Sequence, residues 1–210
     1  DLYLLCPTSN MFKNEESCTS QCVLCKIFRL KHKVASKRID ALVGISHYMI
    51  NKFTQFGYFE NVDKRVIHNV RTVDSPELTT SRKANEKLTI GYIGTLSPSK
   101  GVRWLIDSFM QLSNQLNVEL LIAGIGVDPR IQFLGFIPST QFYQKVDIVV
   151  VPSLWEEPLG MVAVEACANN KPVITTGNGG LKEIIQHEVN GFILDASDKS
   201  SLVVLLNKLY

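Results

Sequence analysis

The sequence predicts an α/β protein built on a doubly wound parallel sheet, and three observations carry that prediction. From residue 86 onward, short β-branched runs alternate with amphipathic stretches of helical period. The runs are continuously apolar, as in Leu88-Thr-Ile-Gly-Tyr-Ile and Asp147-Ile-Val-Val-Val151, so both faces of their sheet must be covered. Glycine- or proline-bearing loops follow several of the runs, and in an open parallel sheet ligands sit beyond the carboxyl ends of the strands.

The elements can be justified in chain order. Residues 1–72 show the grammar in short form: a strand at 2–5, a helix at 22–38, a strand at 41–45, a helix from the N-cap Ser46 to about Gln55, and a strand at 65–68. Three strands are too few for a complete domain of this class, so 1–72 is expected to be part of a first Rossmann-like domain. Residues 73–86 are polar and carry Asp74-Ser-Pro and Thr79-Thr-Ser-Arg-Lys, which marks a linker. Residues 87–210 form the second domain. Its strands are expected at 88–94, 118–123, 132–135, 147–151, 172–176 and 190–194. Helices are expected at 102–115, 139–145, from Pro158 onward, at 180–186 and at 200–209. The chain does not begin with Met and opens directly in Leu2-Tyr-Leu-Leu5, so it is expected to be a piece of something longer.

Composition narrows the function classes. With 45% hydrophobic residues and a net charge of +2, the chain is an ordinary globular protein with ample core. No apolar run approaches the roughly 20 residues that span a bilayer, and no signal peptide opens the sequence. Basic charge gathers early, with 11 Lys/Arg against 6 Asp/Glu up to Val73. The segment 26–38 alone holds six basic residues and no acid, either as a solvated helix face or as a contact for anionic lipid headgroups. Nucleic acid is not expected as a partner, because no aromatic platform or reading motif accompanies the charge. Cys6, Cys18, Cys22 and Cys25 form a cluster that suits a structural zinc, two disulfides, or buried thiols. Cys167 is expected to be a core thiol.

Three loops carry the candidate chemistry. In Gly94-Thr95-Leu-Ser-Pro-Ser-Lys100-Gly101, glycine lets an anion approach the backbone and Lys100 adds a positive charge at a helix start. Gly124-Ile-Gly126 leaves room for a flat ring or a diol, or is simply a tight turn. In Glu157-Pro158-Leu159-Gly160-Met161, Pro158 suits the first helical position, and the next amides are unpaired, which makes an anion seat. Glu165 lies one turn beyond Met161 on the same face, inside an otherwise apolar run. A carboxylate there needs a partner. Two vicinal hydroxyls would supply one, because an ionised carboxylate accepts two hydrogen bonds at once. Phosphate at the helix end and a diol at the carboxylate together describe a nucleotide.

The set Glu157-x7-Glu165, preceded by Val151-Pro-Ser and followed by Lys171-Pro-Val-Ile and Gly179-Gly-Leu-Lys-Glu183-Ile, resembles the retaining glycosyltransferases of family four. "GTLSPSKG", "LLIAGIG", "FLGFIP" and "NGFIL" fall in that family's order, and "YLLCP", "VGISHYMINKF" and "VIHNV" resemble the end of its acceptor domain. The resemblance implies a GT-B fold, with 87–210 as the donor-binding half and 1–72 as part of the acceptor-side half. It implies that Glu165 binds ribose hydroxyls and Glu157, the catalytic-site carboxylate, binds the donor sugar. Lys100 and the amides of Leu159, Gly160 and Met161 would hold the diphosphate, with Gly94 and Thr95 beside them, and Gly124, Phe136 and Ile137 would flank the base. Many members carry arginine where this chain has Thr95, which leaves one cation fewer for the phosphates.

The activity implied is transfer of a sugar from a nucleoside diphosphate sugar to an acceptor sugar or lipid-linked glycan, with retention, in surface polysaccharide or glycolipid synthesis. No cofactor and no catalytic metal are expected. The location implied is cytoplasmic, with peripheral contact at the inner face of the plasma membrane through 26–38. Two rivals are a nucleotide-sugar epimerase on the same scaffold and a non-catalytic nucleotide-sugar-binding module. His47 and His68 are minor candidates for ligand contact, and Trp155 is expected to wall the cleft.

Overall fold

A computed structural model of the chain describes residues 1–71, 86–112, 116–126 and 131–210. The expected linker at 73–86 lies outside the described residues except for Glu86. Two parallel sheets flank it. The first is small: strands β3 (Ala41–Gly44) and β4 (Asp63–Val66) pair in parallel around the helix α2 (His47–Gln55). Ser46 fixes the start of that helix by accepting the Met49 amide on its hydroxyl at 3.1 Å. Ahead of this unit lie a short hairpin, β1 (Phe12–Lys13) with β2 (Glu16–Ser17), and the helix α1 (Val23–Ala35).

The second sheet has six strands: β5 (Leu88–Ile93), β6 (Val118–Ala123), β7 (Gln132–Phe133), β8 (Ile148–Val151), β9 (Val173–Thr175) and β10 (Gly191–Ile193). They run in the order β10-β9-β8-β5-β6-β7, and every pairing is parallel. Alternate residues feed two cores. Ile90, Ile122, Val150 and Ile174 pack toward α3 (Val102–Phe109) and α7 (Ser200–Leu209), where Leu105, Leu202 and Leu206 are fully buried. Leu121, Val149, Val151 and Val173 pack toward α4 (Ser139–Lys145), α5 (Met161–Ala168) and α6 (Leu181–Ile184). A sheet buried on both faces explains why a central strand such as β8 is apolar at every position.

Several expected elements differ, each for a local reason. Residues 2–5 form turns, with the Leu5 and Cys6 amides both donating to the Leu2 carbonyl at 2.9 Å. Leu2 and Leu5 are both fully buried, and a spacing of three serves a turn as well as four apolar residues serve a strand. The helix expected over 102–115 ends at Phe109, after which the Gln111 and Leu112 amides bond back to Ser108 and Phe109 in tight turns. Residues 113–115 lie outside the described residues. The helix expected at 180–186 stops at Ile184, because the Asn190 side chain takes the Gln186 amide and donates to the Ile184 carbonyl. The strand expected at 132–135 ends at Phe133, before Gly135 at a φ of +67°.

The helix α1 departs most from the solvated-face expectation. Its buried position is Arg29, whose guanidinium stacks 3.9 Å above the Tyr3 ring. Its outward face carries Val23, Leu24, Ile27, Phe28, Leu30 and Val34, all exposed, among lysines.

The two sheets are joined by polar contacts rather than by apolar packing. Ser46 donates its hydroxyl to the Pro158 carbonyl, and Lys52 pairs with Glu156 at 2.6 Å. Glu183 accepts the amides of His47 at 2.9 Å and Tyr48 at 2.6 Å, so a residue of α6 caps α2 across the divide.

Candidate functional site

The strand order places the site. Moving outward from β5, the chain goes through β6 to β7; moving outward from β8, it goes through β9 to β10. The order therefore reverses between β5 and β8, and the crevice beyond their carboxyl ends is where such sheets bind ligands. The loop after β5 carries Gly94 to Gly101, and the loop after β8 carries Pro152 to Gly160. A cavity of about 340 Å³ lies between them, lined by Gly94, Lys100, Trp155, Glu157, Gly160 and Met161, with Asp1 and Ile45 facing them from the first portion.

Glu157 is the centre of this cavity's chemistry. Its carboxylate is buried, and one oxygen, Oε1, accepts three donors: Lys100 Nζ at 2.6 Å, Ser153 Oγ at 2.7 Å and Trp155 Nε1 at 2.9 Å. Lys100 also lies over the Trp155 ring, 4.9 Å from its centroid. The backbone of Glu157 is fixed by a parallel bridge to Gly179. Gly179 has a φ of +69°, and a Cβ there would stand 2.3 Å from the Glu157 carbonyl oxygen, so only glycine lets the two loops lie this close.

The helix start differs from the expectation of Pro158 at its first position. Helix α5 begins at Met161, with Gly160 ahead of it at a φ of +91°. A Cβ on Gly160 would press into Leu181, 2.4 Å away, so glycine is what allows this tight entry. Among the described residues, no acceptor pairs with the amides of Leu159, Gly160 or Met161. These donors face the same cavity as Lys100, where the helix dipole adds to its charge. The three amides expected from sequence to form an anion seat are thus unpaired and line this cavity, although the helix begins three residues later than Pro158.

A second cavity of about 580 Å³ adjoins the first through Ile93 and Gly94 and is lined by Thr95, Gly124, Phe136 and Ile137. Its walls are largely apolar, and Phe136 is 91% exposed, a free ring face beside a glycine floor. Tyr92 lines the first cavity and donates its hydroxyl to the Thr95 carbonyl at 2.7 Å. Burial, reinforced by the Glu157 charge, pushes the Tyr92 hydroxyl well above its ordinary pKa.

Glu165 is placed otherwise than expected. Its side chain is only partly buried and lines neither cavity. Its partner is a protein cation: Arg71 Nε lies 2.8 Å from Oε1, and Tyr143 donates its hydroxyl to Oε2 at 3.3 Å. Burial, followed by the Glu165 charge, raises the Tyr143 pKa. Sequence reasoning missed Arg71, Tyr143 and Ser153 as residues of the site's chemistry. Ser153 was visible beside Pro152 in the motif, whereas Arg71 carries no local signal at all. His68 Nε2 comes within 3.4 Å of Glu183, and neither His47 nor His68 lines either cavity.

Of the three readings of the early cysteines, neither the four-thiol zinc site nor the two disulfides is assembled. Among the described residues, no three His, Cys, Asp or Glu side chains are placed to hold a metal. Cys6 and Cys25 meet at 3.8 Å between sulfurs, while Cys22 turns outward to accept the Cys25 amide at the start of α1. All five cysteines are free thiols.

The family model for glycosyl transferases group 1 matches residues 76–210. The chain belongs to this family. It is 31% identical over 207 residues to an uncharacterised 42.6 kDa protein of the Klebsiella pneumoniae cps region, covering 93% of this chain and 54% of that one. It is 30% identical over 147 residues to the lipopolysaccharide 1,2-N-acetylglucosaminetransferase of Salmonella typhimurium, covering 58% of this chain and 38% of that one. Anabaena HepE, solved with UDP-glucose, superposes with a TM-score of 0.70 at 27% identity, covering 86% of this chain and 56% of that one. The fold is of the GT-B type. The chain spans about half the length of the first relatives it matches. Among the described residues, no helix is long and apolar enough to cross a membrane.

Proposed function

We propose that the crevice between β5 and β8 binds a nucleoside diphosphate sugar, and that the protein to which these residues belong transfers the sugar to an acceptor hydroxyl with retention of configuration. The observation that carries this reading is the row of unpaired amides at Leu159, Gly160 and Met161 beside Lys100. Those donors and that charge suit a diphosphate, and they would stabilise it as it leaves, when its negative charge grows. The adjoining cavity, with its glycine floor and the open ring of Phe136, suits a base. Glu157 suits a sugar hydroxyl, and Glu165 suits the ribose diol once Arg71 gives way.

The acceptor is proposed to be a sugar or lipid-linked glycan of a surface polysaccharide, as in family members named for capsule and lipopolysaccharide synthesis. Contact with an anionic membrane surface belongs to the same proposal. It is supported by the exposed apolar stripe of α1 set among Lys26, Lys31 and Arg38. Residues 1–210 alone are proposed to bind donor without completing transfer, because a cleft between two domains needs both walls.

The test is titration of the chain with UDP, GDP and dTDP by calorimetry, with Lys100→Met alongside. Binding of at least one, weakened tenfold or more in the variant, is expected from the loss of a charged hydrogen-bond donor. No binding of any of the three at millimolar concentration would overturn the reading. For the longer polypeptide, the anomeric configuration of the product, read by NMR, tests retention.

A further inference from the structure

Glu157 presents its ligand with an unusual asymmetry. Oε1 is saturated by three donors, whereas no described donor reaches Oε2. A carboxylate oxygen offers two in-plane lone-pair directions, so three donors within 2.9 Å leave no room for a fourth. A ligand hydroxyl therefore meets Oε2. The three donors also differ in what else they do. Lys100 belongs to the anion seat, and a diphosphate competes with Glu157 for its ammonium. Ser153 and Trp155 have no such second duty. The Ser153 side chain is buried against the carboxylate, and the Trp155 indole N–H has Glu157 as its acceptor.

We propose that Trp155, with Ser153, is the positioning residue that keeps Glu157 aimed at the donor sugar while Lys100 turns toward the diphosphate. The inference rests on the reading of this cleft as a nucleotide-sugar site and deepens it. Lys100 links the two halves of the donor: with the lysine drawn to phosphate, Glu157 keeps two neutral donors on Oε1 and gains basicity on Oε2, where the sugar hydroxyl binds. Without the indole N–H, that same departure would leave a buried carboxylate held by one serine, free to rotate about its last side-chain torsion. The cost of losing Trp155 therefore falls on the sugar and not on the nucleotide. A merely structural tryptophan would affect both alike.

The experiment uses the 210-residue chain, with UDP and UDP-glucose as probes, and four proteins: unmodified, Trp155→Phe, Glu157→Gln and the double variant. Phenylalanine keeps an aromatic ring beside Lys100 and removes the N–H together with the five-membered ring that carries it. Expected is a loss of about tenfold in UDP-glucose affinity for Trp155→Phe, the scale of one hydrogen bond to a charged group, with UDP affinity changed less than twofold. In the Glu157→Gln background, Trp155→Phe should add little, because both changes remove one interaction. A second readout needs no substrate. The Trp155 indole N–H resonance, assigned by its loss in Trp155→Phe, should move on Glu157→Gln and should persist near its starting position when UDP binds. Equal losses for UDP and UDP-glucose, or no loss in either, would overturn the positioning role. So would an indole resonance that Glu157→Gln leaves in place. If the unmodified protein binds neither probe, nor GDP or dTDP, while Glu157→Gln moves the resonance, it is the nucleotide-sugar reading that falls, and with it the positioning role.

Discussion

Arg71 and Glu165 form an ion pair at 2.8 Å, and the guanidinium comes from the residue just ahead of the undescribed segment 72–85. The pair is lopsided in exposure: 57% of the arginine side chain is open to solvent, against 19% of the glutamate. An exposed cation loses little when its partner goes, because water takes the partner's place. Glu165→Gln is therefore expected to change unfolding free energy by less than about 1 kcal/mol. If Glu165 binds ribose, the same variant should lose about 1.5–3 kcal/mol of ribonucleotide affinity, the scale of charge-assisted hydrogen bonds. A 2′-deoxynucleotide should show that deficit with the unmodified protein and little more with the variant. Arg71→Gln should act the other way, strengthening nucleotide binding about twofold to fivefold by removing a competitor worth roughly 0.4–1 kcal/mol. Thermal melts and nucleotide titrations on these proteins check all four. A destabilised Glu165→Gln that still binds ribonucleotide normally would leave Glu165 a structural residue.

The Lys100–Glu157 pair should behave differently from that ion pair, because here the carboxylate is the buried partner, with 7% of its side chain exposed. Lys100→Met should destabilise the fold by about 1–3 kcal/mol, since it leaves a desolvated charge with only two neutral donors. Adding Glu157→Gln should restore part of the loss by removing that charge, even though the double variant has lost one more native residue. The surface pair Lys199–Asp107, exposed at 50% and 39%, supplies the control, and Lys199→Met should cost under about 1 kcal/mol. Denaturant melts of these four proteins and of Glu157→Gln alone decide it. Additive losses in the double variant would mean that the pair is not coupled.

The physical reasons for what sequence can and cannot reveal are visible in these residues. Strands such as 88–93 and 148–151 were readable because a sheet buried on both faces demands apolar residues on both sides of a strand. The Lys100 and Gly160 loops were readable because local backbone geometry and charge carry their chemistry. The Arg71 partner of Glu165 was not, since no periodicity encodes a contact between residues so far apart in the chain. The outward stripe of α1 shows another limit. Period marks which residues share a helix face, but tertiary packing decides that Arg29 goes inside and Ile27 outside.

The thiols give a pH-dependent prediction. The Cys25 backbone amide, and then its side chain, donate to the Cys22 sulfur at the exposed start of α1 and hold the Cys22 thiol below its ordinary pKa. Burial, with Cys22 and Cys6 hydrogen-bonded to it, pushes Cys25 up to about 12. Only the thiolate is alkylated, so a lowered pKa raises the reactive fraction at any pH below it, and a raised pKa suppresses it. At pH 7.5, iodoacetamide should therefore label Cys22 first and Cys25 last of this pair, with the Cys25 rate still climbing well above pH 9. Peptide mass spectrometry over a time course reads the order. Uniform protection of Cys6, Cys18, Cys22 and Cys25, relieved by a chelator and accompanied by one zinc per chain, would instead restore the four-thiol site.

Glu183 offers the clearest separation of assembly from chemistry. Its two oxygens take the amides of His47 and Tyr48, the first turn of a helix that belongs to the other sheet. Ser46 secures the same end through its own hydroxyl, accepting from Met49 and donating to the Pro158 carbonyl next to the anion seat. The helix start thus has two caps, one local and one from across the divide. Removing the local cap, in Ser46→Ala, should cost about 0.5–2 kcal/mol and loosen both α2 and the loop at Pro158. Removing the distant cap, in Glu183→Ala, should cost a similar amount but leave the loop's own contact intact. Amide hydrogen exchange distinguishes them. Glu183→Ala should speed exchange at His47 and Tyr48 by about tenfold or more while Ala163 and Val164, whose amides bond the Gly160 carbonyl, stay near their original rates, whereas Ser46→Ala should speed exchange on both sides. If Glu183→Ala instead left His47 and Tyr48 protected, the contact between the two sheets would not depend on this carboxylate, and α2 would be held by its own N-cap alone.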